Sequence, residues 1–259
     1  QPARVGDPGR GRSRAFDALL HREPGGVLLV ELEIAYGERP FSFPNTYQAV
    51  RNSVEQLNRA ESTTELYDTT ARAIRDLLGF DRVMVYRYDQ DYNGEVVAEC
   101  KRDDLNSFLG LHYPASDIPA QARAMYEKNW LRLISDVDYT PAPPLVPAID
   151  PDSGTPLDLT HATLRSVSPI HIEYLQNMGV RASMSISLLR HGRLWGLIAC
   201  HHYAGPHLPP YGARAAAEFL GSTLSLRLVD RFDDDQLRER LAAQSTLAAL
   251  TNATRNDSE

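Results

Sequence analysis

The sequence predicts an α+β fold: an antiparallel sheet with helices packed on its faces. Two observations lead there. Residues 83–100 and 181–202 each read as two alternating stretches joined by turn residues, Asn93-Gly94 and His191-Gly192. Amphipathic helical patterns lie before the first hairpin and after the second, and such helices need a sheet face to bury against.

The elements follow in order. Residues 1–26 are rich in Gly, Arg and Pro and are expected to start without regular structure. Val27–Leu32 is a short apolar run with strand character and no partner strand nearby in sequence, so it reads as the tail of a larger unit. Gly37, Pro40 and Pro44 mark a linker. From Asn45, Val50, Val54 and Leu57 share one helical face. Ser62-Thr63-Thr64-Glu65 is a capping box for a second helix carrying Leu66, Ala73, Ile74 and Leu77, which Gly79 closes. At Asn93-Gly94 both residues tolerate positive φ, which favours a tight hairpin. Ile118-Pro119 opens a helix to about Asn129. Residues 136–163 form a long Pro-rich loop, and loops of that length inside a domain are often functional. Ser168-Pro169 caps a short helix ended by Gly179. A long helical pattern starts at Pro209-Pro210, with Leu220, Leu224 and Leu228 on one face and Leu237 and Leu241 beyond.

Length and composition bound the function. A chain of 259 residues, 42% hydrophobic, supports one sizeable core. A net charge of −7 argues against a nucleic-acid partner, and no apolar run approaches a membrane span. The N-terminal arginines have no apolar stretch directly behind them, unlike a signal peptide. Two cysteines, Cys100 and Cys200, cannot form a disulfide framework, so a reduced cytoplasmic setting is expected. A start at Gln1 rather than Met is expected of a fragment or a processed chain.

Several residues could carry chemistry. Alternation along 181–189 puts Arg181, Ser183, Ser185 and Ser187 on one face and Ala182, Met184, Ile186 and Leu188 on the other. The hydroxyl face suits a ligand with carboxylates or phosphates; it is also what a solvated strand face looks like. Tyr126, Arg132 and Arg165 could grip a carboxylate, although each taken singly reads more readily as an ordinary solvated surface residue. His171 lies on a helix that Ile170, Ile172 and Leu175 should bury, as a core histidine or a ligand contact. Asp117 stands at a helix start, where capping alone would account for it. Cys200-His201-His202 alternate across a strand and cannot supply three close metal ligands. The serines lack a nucleophile elbow, and no Gly-rich phosphate loop is present.

Taken together, Pro-Ala-Ser-Asp-Ile-Pro (114–119), Leu164–Val180 with Ser-Pro-Ile-His-Ile-Glu-Tyr-Leu at 168–175, and Leu194–His202 resemble the chromophore-binding GAF domain of bacterial phytochromes in motif and in order. The resemblance covers about residues 45–230. It implies a GAF fold and red/far-red light sensing through a linear tetrapyrrole, biliverdin, whose D ring photoisomerises. By the same resemblance Asp117 faces the pyrrole nitrogens, mainly through its backbone carbonyl, with Ile118 beside it. His171 meets the pyrrole system through a water, and His201 binds the D-ring carbonyl. Arg132, Arg165, Tyr126, Ser168, Ser183 and Ser185 hold two propionates, and Tyr86, Tyr113 and Tyr174 wall the D ring. Residues 1–44 would then be the end of a PAS domain and a linker, and 231–259 the start of a helix toward a PHY domain. The chain itself would be no enzyme; a histidine kinase of a two-component system would lie outside it, and long helices would pair two copies.

One conflict arises. A two-residue turn at His191-Gly192 pairs Ala182 with His201, which puts His201 on the face away from the serines. A bulge would reconcile them, because a one-residue slip flips every side chain. The chain also departs from its model. Ile170 stands where plant-type and cyanobacterial members carry the attachment cysteine, and no Cys precedes residue 100. Biliverdin is therefore expected to bind without a covalent bond. Two other readings remain: a GAF domain that has lost its chromophore and serves structure or dimerisation, and a GAF sensor of a cyclic nucleotide or haem.

Overall fold

The computed structural model describes residues 2–6, 13–22, 26–34, 43–141, 149–150 and 152–256. The stretch holding Pro143, Pro144 and Pro147, the residue Pro151, and the linker glycine and proline at 37 and 40 lie outside them.

The main sheet has six strands. They are β4 (Arg82–Tyr88), β5 (Gly94–Lys101), β6 (His112–Tyr113), β7 (Leu131–Ile134), β8 (Ala182–Arg190) and β9 (Arg193–His202), in the order β6-β5-β4-β9-β8-β7 with every pairing antiparallel. Helices α1 (Phe43–Arg59), α2 (Thr63–Leu78) and α5 (Tyr211–Asn256) cover one face. Leu66 and Ile74 of α2, Leu220 and Leu224 of α5, and Val83, Val85, Ile186 and Ile198 of the sheet form the core between them. Burying each such side chain contributes roughly 1.5–3 kcal/mol. The shorter helices α3 (Ala120–Lys128) and α4 (Pro169–Asn177) stand over the opposite face.

Local chemistry explains the boundaries. Ser62 Oγ accepts from Glu65 N–H at 3.1 Å, so α2 begins on the expected cap; the Glu65 carboxylate reaches back to Glu61 N–H at 2.8 Å. Gly79 ends the helix at φ 74°. His191 and Gly192, with φ of 51° and 76°, make the two-residue turn between β8 and β9. The β4–β5 connection differs from expectation. Its loop runs Asp89–Asn93, and the positive φ falls on Tyr92. Gly94 is already in β5 opposite Tyr88, and a Cβ there would lie 1.7 Å from Tyr86 Cζ. Space, not φ, requires this glycine.

The N-terminal expectation needs correcting. Val27–Leu32 does have partners: β3 (Leu28–Ile34) pairs with β2 (Ser13–Arg22), which pairs with β1 (Pro2–Gly6). Phe16, Ala18 and Leu20 alternate as a strand should, but the surrounding Gly and Arg obscured that signal. The alternation of β3 is inverted relative to burial. Leu28, Val30, Leu32 and Ile34 are exposed, whereas Glu31 and Glu33 are buried. Arg214 of α5 donates through Nη2 to both Glu33 oxygens, at 2.6 and 2.8 Å. A buried carboxylate is tolerated when it is paired in this way.

Candidate ligand-binding site

The sheet face away from α1, α2 and α5 is the floor of a cleft. Period-two alternation turns Met84 and Tyr86 of β4 toward it, and Leu197, Ala199 and His201 of β9. β8 contributes Ser183 and Ser185. The register conflict is resolved by a bulge. Leu189 pairs with Leu194 but Leu188 with Gly196, so Trp195 is the extra residue. Ser183 then sits directly opposite His201, and both face the cleft. On the other side of β8, Arg132 of β7 lies opposite Ser185.

Two adjoining cavities occupy the cleft, and both open to solvent. Tyr126, His171, Ser183 and Ser185 line both. The first is aromatic and apolar, with Tyr86, Tyr113, Asp117, Ile118, Tyr174 and His201. The second holds Arg132, Arg165 and Ser168. All thirteen residues that the resemblance assigns to the bilin thus line one cavity or the other. Arg181 and Ser187, read on the same strand face as Ser183 and Ser185, line neither: Arg181 pairs with Asp138, and the Ser187 hydroxyl donates to the Tyr126 carbonyl. Sequence reading missed the apolar floor, chiefly Met84, Val96, Leu197 and Ala199. The alternation that buries Val83 and Val85 against the helices also turns Met84 the other way, and that signal was legible.

Individual placements refine the expectations. The Asp117 carboxylate accepts from the Tyr174 hydroxyl at 3.3 Å, while α3 starts without a side-chain cap. Ser168 is the N-cap residue of α4, but its side chain makes no cap bond; its carbonyl accepts from Ile172 N–H. Only Leu175 of α4 is fully buried, and Ile170 is 78% exposed, so His171 is half-buried in a cleft wall rather than part of a core. Arg123 donates to the carbonyls of Ile118 (2.6 Å) and Ala115 (3.3 Å) and lies 4.2 Å from the Tyr92 ring centre. It therefore braces the turn that carries Asp117.

The electrostatics are those of a partly dry site. Burial, then the charge of Arg82 and then His171, pushes the His201 imidazole down to about 3, so the ring is neutral. Arg82 pairs with His201 across β4–β9 and is itself buried, bonded to Glu99 at 2.9 Å and to Asn106 O at 2.7 Å. His201 Nδ1 is buried with no hydrogen-bond partner among the described residues. Burial and then Arg132 lower His171; burial lowers Arg132 itself. Burial, then Asp117 and Tyr113, raises the Tyr174 phenol to about 12, and Tyr86 is raised mainly by burial. Tyr126 is raised by burial, opposed by Arg132 and by a hydrogen bond with Ser185. One half of the cleft thus offers phenols, a neutral imidazole and the Asp117 carboxylate among aromatic rings, and the other offers cations and hydroxyls.

The GAF domain family model matches residues 62–228. The chain is 46% identical to the chromophore-binding domain of Stigmatella aurantiaca bacteriophytochrome, solved as a Thr289His mutant in the Pr state. That match has a TM-score of 0.79 and covers 88% of this chain and 73% of that one. The chain belongs to the phytochrome GAF domains. Among curated relatives, cyanobacterial phytochrome B of Nostoc sp. is 47% identical over 92% of this chain, and the bacteriophytochrome of Pseudomonas aeruginosa 46% over 92%. The chain spans 31% and 32% of their lengths. The α+β reading and the GAF assignment hold.

Proposed function

We propose that this phytochrome GAF domain binds biliverdin without a covalent bond and senses red and far-red light through rotation of the D ring. The observation that carries this reading is the two-part cleft. A linear tetrapyrrole is a long conjugated cation with two carboxylates, and it needs both halves. Arg132, Arg165 and the hydroxyls of Tyr126, Ser168, Ser183 and Ser185 suit the propionates, which would otherwise be buried without partners. The Asp117 carbonyl and carboxylate suit the pyrrole nitrogens of a protonated bilin. The unpartnered Nδ1 of a neutral His201 suits the D-ring carbonyl through a donated hydrogen bond. His171 lines both cavities and is placed to act through a water, and Tyr86, Tyr113 and Tyr174 wall the ring that turns.

Non-covalent binding is supported by the cysteines. Cys200 is buried in the core beneath the sheet with its thiol pushed up by burial, and Cys100 packs against the same core. Neither lines either half of the cleft. On this reading the chain is a sensing module and no enzyme, in a cytoplasmic two-component protein whose PHY and kinase modules lie beyond it. Residues 1–44 would be the end of a PAS domain, the remainder of which would cover exposed Val30 and Leu32. Phe219, Leu226 and Leu241 are exposed along one side of α5 and suit pairing with a second copy.

Asp117→Ala and His171→Ala test the assignment. Each should alter the visible spectrum of the bound bilin, and unchanged spectra would refute these roles. A cyclic nucleotide that raises the melting temperature where biliverdin does not would instead identify a nucleotide sensor.

A further inference from the structure

The described residues show a link between the N-terminal sheet and the cationic half of the cleft. Glu31 of β3 is 9% exposed. Its Oε2 accepts from Thr163 N–H at 3.0 Å and its Oε1 from Leu164 N–H at 2.6 Å. His21 Nε2 lies 2.7 Å from Oε2. Two consecutive amides converging on one carboxylate form an anion nest, and they belong to a segment more than a hundred residues away in sequence. The next residue is Arg165, which lines the second cavity and whose Nε is buried with no hydrogen-bond partner.

The strand that carries Glu31 is itself fixed. Glu33, on the same face of β3, is held by Arg214 of α5, and the two side chains are only 4% and 3% exposed. One carboxylate of β3 thus anchors the strand to α5, and the other reaches the backbone that presents Arg165.

We propose that Glu31 is a positioning residue for the carboxylate subsite: it fixes the backbone at Thr163 and Leu164 so that Arg165 meets a ligand propionate. This rests on the reading of the second cavity as that subsite. Both carboxylate oxygens are in use. A glutamine keeps one acceptor and turns an NH₂ toward the other amide, where two donors repel. The segment must shift, and with it Arg165.

The test is binding of biliverdin and of its dimethyl ester, which lacks the carboxylates, by the full chain. Glu31→Gln should weaken biliverdin binding about tenfold, the effect of misplacing one charge-assisted contact, and leave the ester unaffected. In an Arg165→Ala background the same substitution should add little. Glu31→Asp, one methylene shorter and so drawn back from both amides, should repeat the selective loss and serves if Glu31→Gln does not fold. Equal losses for acid and ester, or losses that add to that of Arg165→Ala, would overturn the proposal and leave Glu31 a merely structural residue. Equal wild-type affinity for acid and ester would remove the subsite and the proposal together. A wild-type chain that binds neither would overturn the bilin reading itself.

Discussion

His201 should make stability depend on pH in a window that one substitution removes. Its imidazole is held neutral by burial, by Arg82 and by His171, with a folded value of about 3 against an ordinary 6.5. Below pH 6.5 the unfolded chain takes up a proton on this ring that the folded chain refuses. Stability must therefore fall as pH falls, starting near the unfolded value and levelling off near the folded one. From about pH 7.5 to about pH 5 the linkage comes to roughly 2 kcal/mol. Burial displaces His171 and His202 in the same direction, so the wild-type slope contains their shares as well. His201→Gln cannot titrate and subtracts only its own. Urea unfolding of both proteins at the two pH values gives the comparison. The wild type should lose about 2 kcal/mol more than the variant across the window. Parallel losses would show that His201 titrates normally in the folded chain and would refute the argument.

Other consequences are independent of that one. Glu33→Gln leaves Arg214 buried without its counter-charge and should cost about 3–5 kcal/mol in urea unfolding; a cost under about 1 would mean the pair is dispensable. Gly94→Ala forces the Tyr86 ring out of place, given 1.7 Å between the added Cβ and Tyr86 Cζ. It should cost about 1–3 kcal/mol and shift the spectrum of bound biliverdin, and an unchanged melting curve and spectrum would contradict the packing. Arg123→Ala frees the carbonyls of Ile118 and Ala115, so the Asp117 turn loosens; biliverdin affinity should fall about tenfold while the protein still unfolds cooperatively. Undiminished affinity would mean the turn holds without it.

The hairpins and the capped helix α2 were legible because their signals are local. Alternation, turn residues and Ser62-Thr63-Thr64-Glu65 act within a few residues of one another. The cleft was legible for a different reason: Pro114–Pro119, 168–175 and Leu194–His202 resemble one family in order. What the sequence hid depends on three-dimensional contact. The bulge at Trp195 that brings His201 beside Ser183 leaves no signature in composition. Gly94 resembled a turn residue, but its neighbour in space is Tyr86. Asp117 resembled a cap, but its carboxylate finds Tyr174. The partners of β3 were masked by Arg and Gly nearby, and nothing local marks Glu31 and Glu33 as buried, because Arg214 and the amides of Thr163 and Leu164 that hold them are far away in sequence.

The central claim is a working bilin pocket, and an absorption spectrum tests it most directly. The purified chain is mixed with biliverdin in the dark and recorded before and after red light. A sharp red band that falls on illumination is the predicted result. The broad spectrum of free biliverdin, unchanged by light, would contradict the account.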